Sequence, residues 1–225
     1  INRCLVGSEM CIRDRIEMSH DSIKYFKKFS KINNVYLLLG SIPITENDKL
    51  FNRSILINPD GDIISIYDKI HMFDITLKNG ESYKESDFYS PGSELKITKV
   101  LGHSVGHTIC YDLRYPKLYR ALAKKGSQII VVPSAFTHTT GKAHWHSLIK
   151  ARAIENGVFI LAPNQWGVNN EKRVTYGHTL IVDPWGETLA EAEDGEMIIA
   201  AELDLNRVRE CQNAIPVLDN DRNFD

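Results

Sequence analysis

The sequence predicts one layered domain that mixes helices and strands, of α/β or α+β class. Two observations carry that expectation. Apolar runs of strand length alternate with stretches of helical period, and clusters of Pro, Asp and Gly join some runs as hairpins. A third is scale: 225 residues, 43% apolar and 25% charged, suffice to bury a core.

The elements follow in order. Residues 21–33 carry Ile23, Phe26, Phe29 and Ile32 on one helical face, with Ser19 or Asp21 available as the cap. The run at 35–42 (VYLLLGSI) is a buried strand. Strands at 53–58 and 63–67 flank Pro59-Asp60-Gly61-Asp62, a tight turn. Residues 69–94 show no sustained period and contain Asn79-Gly80 and Pro91-Gly92, so they are expected to be a long loop, which in a compact domain is usually functional. A strand at 104–110, a helix at 116–125 and a strand at 128–133 come next. A longer helix at 142–156 stops near Gly157, and further strands are expected at 158–163, 178–182 and 197–203. Asp183-Pro184-Trp185-Gly186 supplies another hairpin turn. There is no repeat, low-complexity segment or linker.

Composition excludes some functions. Lys and Arg number 27 against 29 Asp and Glu, a net charge of −2, so no basic footprint for nucleic acid is expected. The apolar runs are too short to span a bilayer, and the chain is expected to be cytoplasmic. Four cysteines, at 4, 11, 110 and 211, form no Cys-x-x-Cys pair and make neither a disulfide scaffold nor a plausible zinc site. His144-x-His146 does not suggest a metal either, because residues two apart on a helix diverge.

Two positions can carry chemistry. Cys110 ends a strand and precedes turn-prone residues and a helix, a placement that exposes a nucleophile and brings backbone N–H groups near a developing oxyanion. The bland alternative is a small buried hydrophobe. A thiol with an ordinary pKa of about 8.5 needs a cation or base beside it at neutral pH. Lys69, where the second hairpin strand enters the long loop, could be that cation; it could equally be a solvated strand-end lysine.

Several runs together resemble the nitrilase superfamily of carbon–nitrogen hydrolases. They are Tyr67-Asp68-Lys69-Ile70-His71-Met72-Phe73, Glu81-Ser82-Tyr83-Lys84-Glu85-Ser86 and Thr108-Ile109-Cys110-Tyr111-Asp112-Leu113-Arg114. Pro133-Ser134-Ala135-Phe136-Thr137, Ala143-His144-Trp145-His146 and Lys150-Ala151-Arg152-Ala153-Ile154-Glu155-Asn156 extend the likeness, as does Tyr176-Gly177-His178 before Asp183-Pro184-Trp185-Gly186. Ala162-Pro163-Asn164-Gln165 and the 171–178 run lean toward the branch of deaminated-glutathione amidase and ω-amidase. The resemblance implies an α+β fold, a four-layer α-β-β-α sandwich, and an amidase acting on a small-molecule amide.

It also implies a Glu–Lys–Cys triad with no metal or organic cofactor. Cys110 would attack the carbonyl, and Lys69 with the backbone N–H of Tyr111 would hold the oxyanion. Glu85 would orient substrate and support the lysine. Ser134, Ala135, Phe136 and Thr137 would line the substrate pocket, Asp112 and Arg114 would shape the turn, and Arg152 with Glu155 would brace it from behind. His178 is expected to pack or hydrogen-bond. A homodimer through the helices at 116–125 and 142–156 is implied, with no membrane or nucleic-acid partner.

The resemblance fails at the front. The family's first strand, first helix and catalytic glutamate should precede the helix at 21–33, so the chain is expected to lack them and to leave a sheet edge unpaired. Glu9 is the candidate base. Residues 4–15 resemble translated adapter sequence, so 1–15 are expected to be a non-native or disordered leader and 16–225 the hydrolase domain.

Overall fold

Thirteen residues open the regular structure as helix α1 (Asp21–Asn33), with the bounds that its apolar spacing predicts. Its cap differs from expectation. His20, not Ser19 or Asp21, accepts the Ser22 N–H at 3.1 Å through Nδ1. Asn34 closes the helix in the left-handed conformation, φ 52°. The computed structural model describes residues 16–77, 80, 82–170 and 173–222. The chain divides into two units, one ending at Lys96 and the other beginning at Ile97.

The first unit is built on an antiparallel sheet of β1 (Leu37–Glu46), β2 (Lys49–Ile57) and β3 (Ile63–Asp68). Asn47 and Asp48, with φ of 50° and 60°, make the two-residue turn between β1 and β2, a conformation that asparagine and aspartate tolerate better than most residues. Ile23 of α1 packs with Leu39, Ile42 and Ile44 of β1 and Ile55 and Ile57 of β2 to form the core. The outer edge of β1 is not left wholly unpaired. Ile16 bridges Ile44 in parallel, its N–H reaching Pro43 O at 3.2 Å and its carbonyl accepting Thr45 N–H at 2.9 Å. The stretch at 69–94, expected to be loop throughout, contains a short ladder of β4 (Asp74–Thr76) and β5 (Ser82–Lys84) and a 3₁₀ turn at Glu85–Asp87.

The second unit carries a six-stranded sheet. Its strands are β6 (Ile97–Val100), β7 (His103–His107), β8 (Ile129–Val131), β9 (Phe159–Ala162), β12 (Leu180–Val182) and β13 (Thr188–Glu191), in the order β13-β12-β9-β8-β7-β6. The run β7-β8-β9 is parallel and is joined by α2 (Pro116–Lys124) and α3 (His138–Asn156), two strand–helix–strand crossovers. Leu118, Tyr119 and Leu122 on α2 and Trp145, Ile149 and Ala153 on α3 are buried, which makes these the core-facing stripes. Pro116 starts α2, where its missing N–H costs nothing, and Gly157 ends α3 at φ 60°. A separate ladder pairs β10 (Trp166–Asn170) with β11 (Arg173–Tyr176).

Several sequence expectations are corrected. The strand expected to run to Cys110 stops at His107, and Cys110 opens a 3₁₀ turn, Cys110–Arg114. Helix α3 begins at His138, ahead of residue 142. No strand forms at 197–203; Met197 and Ile198 are 49% and 97% exposed, so this apolar run has no sheet to join. Helix α4 (Asn206–Ala214) was not expected; only Val208 and Cys211, three residues apart, face inward.

Candidate active site

The first unit presents a buried ion pair. Lys69 leaves the end of β3 with its N–H bonded to Asn52 O at 2.9 Å and its carbonyl accepting Gly92 N–H at 2.8 Å. That close approach demands a glycine: a Cβ on Gly92 would lie 2.2 Å from Asp68 O. With its backbone fixed on both sides, Lys69 is only 2% exposed, and lysine is almost never this buried without a partner. The partner is Glu85, whose Oε2 lies 2.5 Å from Lys69 Nζ.

Glu85 is itself held at each oxygen. Oε2 also accepts the Phe73 N–H at 2.7 Å, and Oε1 accepts from Asn52 Nδ2 at 3.1 Å. Asn52 in turn accepts from Ser41 Oγ at 2.6 Å. A charged carboxylate with these donors is locked in place, and it keeps a compact ammonium at a fixed point. Neither Asn52 nor Ser41 stood out in the sequence, because an Asn and a Ser inside strands carry no motif. Beside this cluster Arg53, 3% exposed, spans Asp68 at 2.7 Å (Nε) and 2.9 Å (Nη2) and reaches Glu46 at 3.0 Å. Burial opposes the Arg53 charge, yet its hydrogen bonds to the Asp68 and Glu46 carboxylates raise its pKa above the ordinary arginine value.

The second unit presents the cysteine. Ile109 is extended, and Cys110 then switches to φ 48°, a left-handed backbone that a non-glycine residue adopts at a cost of roughly 1–2 kcal/mol. Three contacts impose it. Cys110 N–H donates to Pro133 O at 3.0 Å, Ile109 N–H donates to Asp112 Oδ2 at 2.9 Å, and Asp112 N–H returns to Ile109 O at 3.1 Å. Asp112 is fully buried, so its carboxylate works as an internal cap for the turn. Cys110 itself is partly accessible and free of any disulfide.

Behind the turn lies a second set of contacts. Thr108 Oγ1 donates to Val131 O at 2.8 Å and lies 2.9 Å from the hydroxyl of Tyr119, whose pKa burial drives well above the ordinary range. Arg152 on α3 donates from Nε to Leu113 O at 3.0 Å and from Nη1 to Glu155 at 2.8 Å, with its guanidinium 5.5 Å from the Tyr119 ring centroid. Arg114 lies over the Phe136 ring at 5.4 Å and is 3.3 Å from His144 Nδ1. Tyr111 follows the cysteine and meets Tyr115 edge-on at 5.5 Å.

Ser134, Ala135, Phe136 and Thr137 follow β8, and all four are buried. Their backbone is pinned by Asn164, which accepts the Phe136 N–H at 3.0 Å and donates to Gly177 O at 2.6 Å. Ala135 O accepts from Arg173 Nη2 at 3.2 Å, and Phe136 O accepts the Tyr176 N–H at 2.9 Å. Sequence reasoning quoted Asn164 only as part of a motif; its role as a clamp shows only in three dimensions. His146 turns away from His144 and lies 2.8 Å from Glu191, which His178 also contacts at 2.9 Å. Glu9 lies outside the described residues. Within each unit the structure therefore gathers the sequence-predicted residues: Lys69 with Glu85, and Cys110 with Asp112, Arg152 and Glu155.

The chain matches the family model described as carbon–nitrogen hydrolase over residues 11–213. It is 38% identical over 227 residues to the deaminated glutathione amidase of Yersinia enterocolitica, covering 98% of this chain and 79% of that one. It is 36% identical over 197 residues to omega-amidase NIT2 of Xenopus tropicalis, covering 88% and 71%. Among solved structures, the NitFhit protein of C. elegans superposes with a TM-score of 0.86 at 32% identity; the match takes in 95% of this chain and 52% of that one. This chain thus spans about half the length of the NitFhit chain.

Proposed function

This chain belongs to the carbon–nitrogen hydrolase family, and on that premise we propose that it hydrolyses the terminal carboxamide of a small carboxylate-bearing compound. The substrate class is that of deaminated glutathione and related ω-amides. The proposal rests on the names of the similar amidases. One observation carries the mechanistic part: the left-handed backbone of Cys110, held by Pro133 and Asp112 at the mouth of a turn. A strained, internally capped cysteine between strand and helix suits a nucleophile better than a packing residue.

In this scheme the Cys110 thiolate attacks the amide carbon, and the C–N bond breaks as the nitrogen leaves with the proton shed by the thiol. Water then cleaves the thioester, giving a carboxylate and ammonia overall. Lys69 polarises the carbonyl oxygen together with the Tyr111 N–H, and Glu85 holds Lys69 in position. The buried wall of Ser134, Ala135, Phe136 and Thr137 shapes the acyl side. A carboxylate serves as general base, the role assigned to Glu9. No metal or organic cofactor enters the scheme. We assign residues 16–225 to the hydrolase domain, with Glu9 reaching it from the segment ahead if it is the base.

The enzyme pairs as a homodimer through α2 and α3 and resides in the cytoplasm. Support for the first is the resemblance. For the second it is the free thiols of Cys110 and Cys211, which fit a reducing compartment. Among the described residues no helix is long and apolar enough to cross a membrane.

The test is ammonia release from ω-amides, with an aliphatic nitrile and an N-carbamoyl amino acid as alternatives. Turnover confined to the amides, and abolished by Cys110→Ala, is the expected result. Release from the nitrile or carbamoyl compound alone would replace the amidase reading, and turnover that survives Cys110→Ala would remove the cysteine mechanism. Glu9→Gln should lower any turnover by about 10²–10⁴-fold if Glu9 is the base.

A further inference from the structure

Three side chains from three separate elements of the second unit converge on one point: His146 of α3, His178 in the turn after β11, and Glu191 at the end of β13. His146 Nε2 lies 2.8 Å and His178 Nδ1 2.9 Å from the same oxygen, Glu191 Oε1. One donor atom from each side chain lies within 4.8 Å of the other two. Two imidazole nitrogens and a carboxylate oxygen are a donor set that binds zinc and its first-row neighbours.

The rings are oriented before any ion arrives. His178 stacks on Tyr176 at 4.4 Å with planes 28° apart, and Tyr176 meets His146 edge-on at 6.0 Å. The His178 backbone is left-handed, φ 54°, and its carbonyl is held at 2.7 Å by the indole N–H of Trp145, a fully buried side chain. An unusual conformation fixed by a buried residue aims this ring; packing alone would not need it.

His178 faces Glu191 through Nδ1, and its other nitrogen, Nε2, lies 3.8 Å from Asp194. Asp194 is itself steadied by the Trp166 indole N–H at 3.2 Å. At 3.8 Å from Nε2, Asp194, 78% exposed, is an electrostatic neighbour of His178 and not a hydrogen-bond partner. A cavity of about 400 Å³ opens alongside, lined in part by His178, Asp194, Tyr176, His138 and Lys142.

We propose that His146, His178 and Glu191 form a binding site for a divalent transition-metal ion of the zinc class, with a fourth coordination position left to an exogenous ligand; of the three, His178 also lines the cavity. The ion would replace the shared hydrogen bonds at Glu191 and tie α3 to the β12–β13 hairpin. Lys142 at the cavity rim would favour an anionic or hydroxide ligand in the open position. The pattern His144-x-His146 pointed to no metal because residues two apart on a helix diverge; the second histidine of this site comes from a distant part of the chain.

The test uses the full chain, stripped with chelator and titrated with zinc chloride in a calorimeter, with far-UV circular dichroism to confirm folding. One equivalent should bind to the parent. Glu191→Gln, which keeps the side-chain shape, and His146→Gln should each weaken binding by about 10²-fold or more, as expected for loss of a ligand. Zinc should also raise the thermal midpoint of the parent and not that of Glu191→Gln, a readout that stands even if His146→Gln does not fold. Unchanged affinity in Glu191→Gln, no binding to the parent, or a cobalt spectrum dominated by thiolate charge transfer would each overturn the site. None of these outcomes depends on amidase activity.

Discussion

Replacing Glu85 with alanine should destabilise the first unit strongly. The side chains of Lys69 and Glu85 are 3% and 9% exposed, so bulk water cannot take over the role of the lost carboxylate. Breaking a buried pair from one side costs about 3–5 kcal/mol, because it strands a charge in a poorly solvated site. The Phe73 N–H and Asn52 amide lose their acceptor too, but these losses overlap with the first and are not added. At roughly 2–4 °C per kcal/mol for a chain of this size, the thermal midpoint should fall by about 6–20 °C. Circular dichroism melts at neutral pH measure this directly, and because the pair is buried the drop should change little with added salt. Glu85→Leu combined with Lys69→Met removes both charges and should recover at least half of the loss. A Glu85→Ala midpoint within about 2 °C of the parent would refute the reasoning, since it would mean that losing this carboxylate costs the Lys69 charge little. So would a double variant no better than the single one.

Three further outcomes are expected. Gly141→Ala improves helix propensity on α3 but would put its Cβ 2.3 Å from Tyr176 Cβ, so it should destabilise by about 1–3 kcal/mol in a urea titration, where an exposed helical glycine would gain. Iodoacetamide at neutral pH should alkylate Cys110 well before Cys211, since burial raises the Cys211 pKa and hides its sulfur; peptide mapping reads the two separately, and equal rates would contradict the burial. Burial opposes the charge of Asp74, yet hydrogen bonds from Ser86 and the Glu85 N–H hold its pKa below the ordinary 3.8. Its contribution is therefore complete above about pH 3.8 and lost as pH falls through the lower folded value. The midpoint gap between the parent and Asp74→Asn should be constant near neutrality and close only in that acid window; a gap that closes near pH 6 would point to a histidine instead.

How much of this was readable from the chain depends on whether the signal was local. Helix α1 and the turn at Pro59-Asp60-Gly61-Asp62 were legible because period and turn chemistry lie within a few residues. Cys110 at a strand-to-helix junction was legible for the same reason, although the two-residue gap between the end of β7 and the turn was not. Helix α4 escaped because Asn206–Ala214 is polar on nearly every side, and two inward residues do not make a visible stripe. The run at 197–203 misled in the opposite direction: it is apolar, but a strand needs an edge to pair with, and composition does not report one. The contacts that fix the candidate site were the least legible. Asn52 on Glu85, Tyr119 behind Thr108 and Asn164 on Phe136 are single polar residues in ordinary segments, and their partners are far away in the chain.

The left-handed backbone at Cys110 sets stability against function at one position. Glycine accepts φ 48° freely, whereas cysteine and alanine both resist it. Cys110→Gly should therefore fold no worse than Cys110→Ala, although it leaves a larger void and a floppier unfolded chain. A laboratory selection for thermal tolerance alone would drift toward glycine here, and the surviving proteins would be sturdier and inert. On the proposed mechanism, what keeps a cysteine at this turn is the need for its thiol, against the preference of the fold itself.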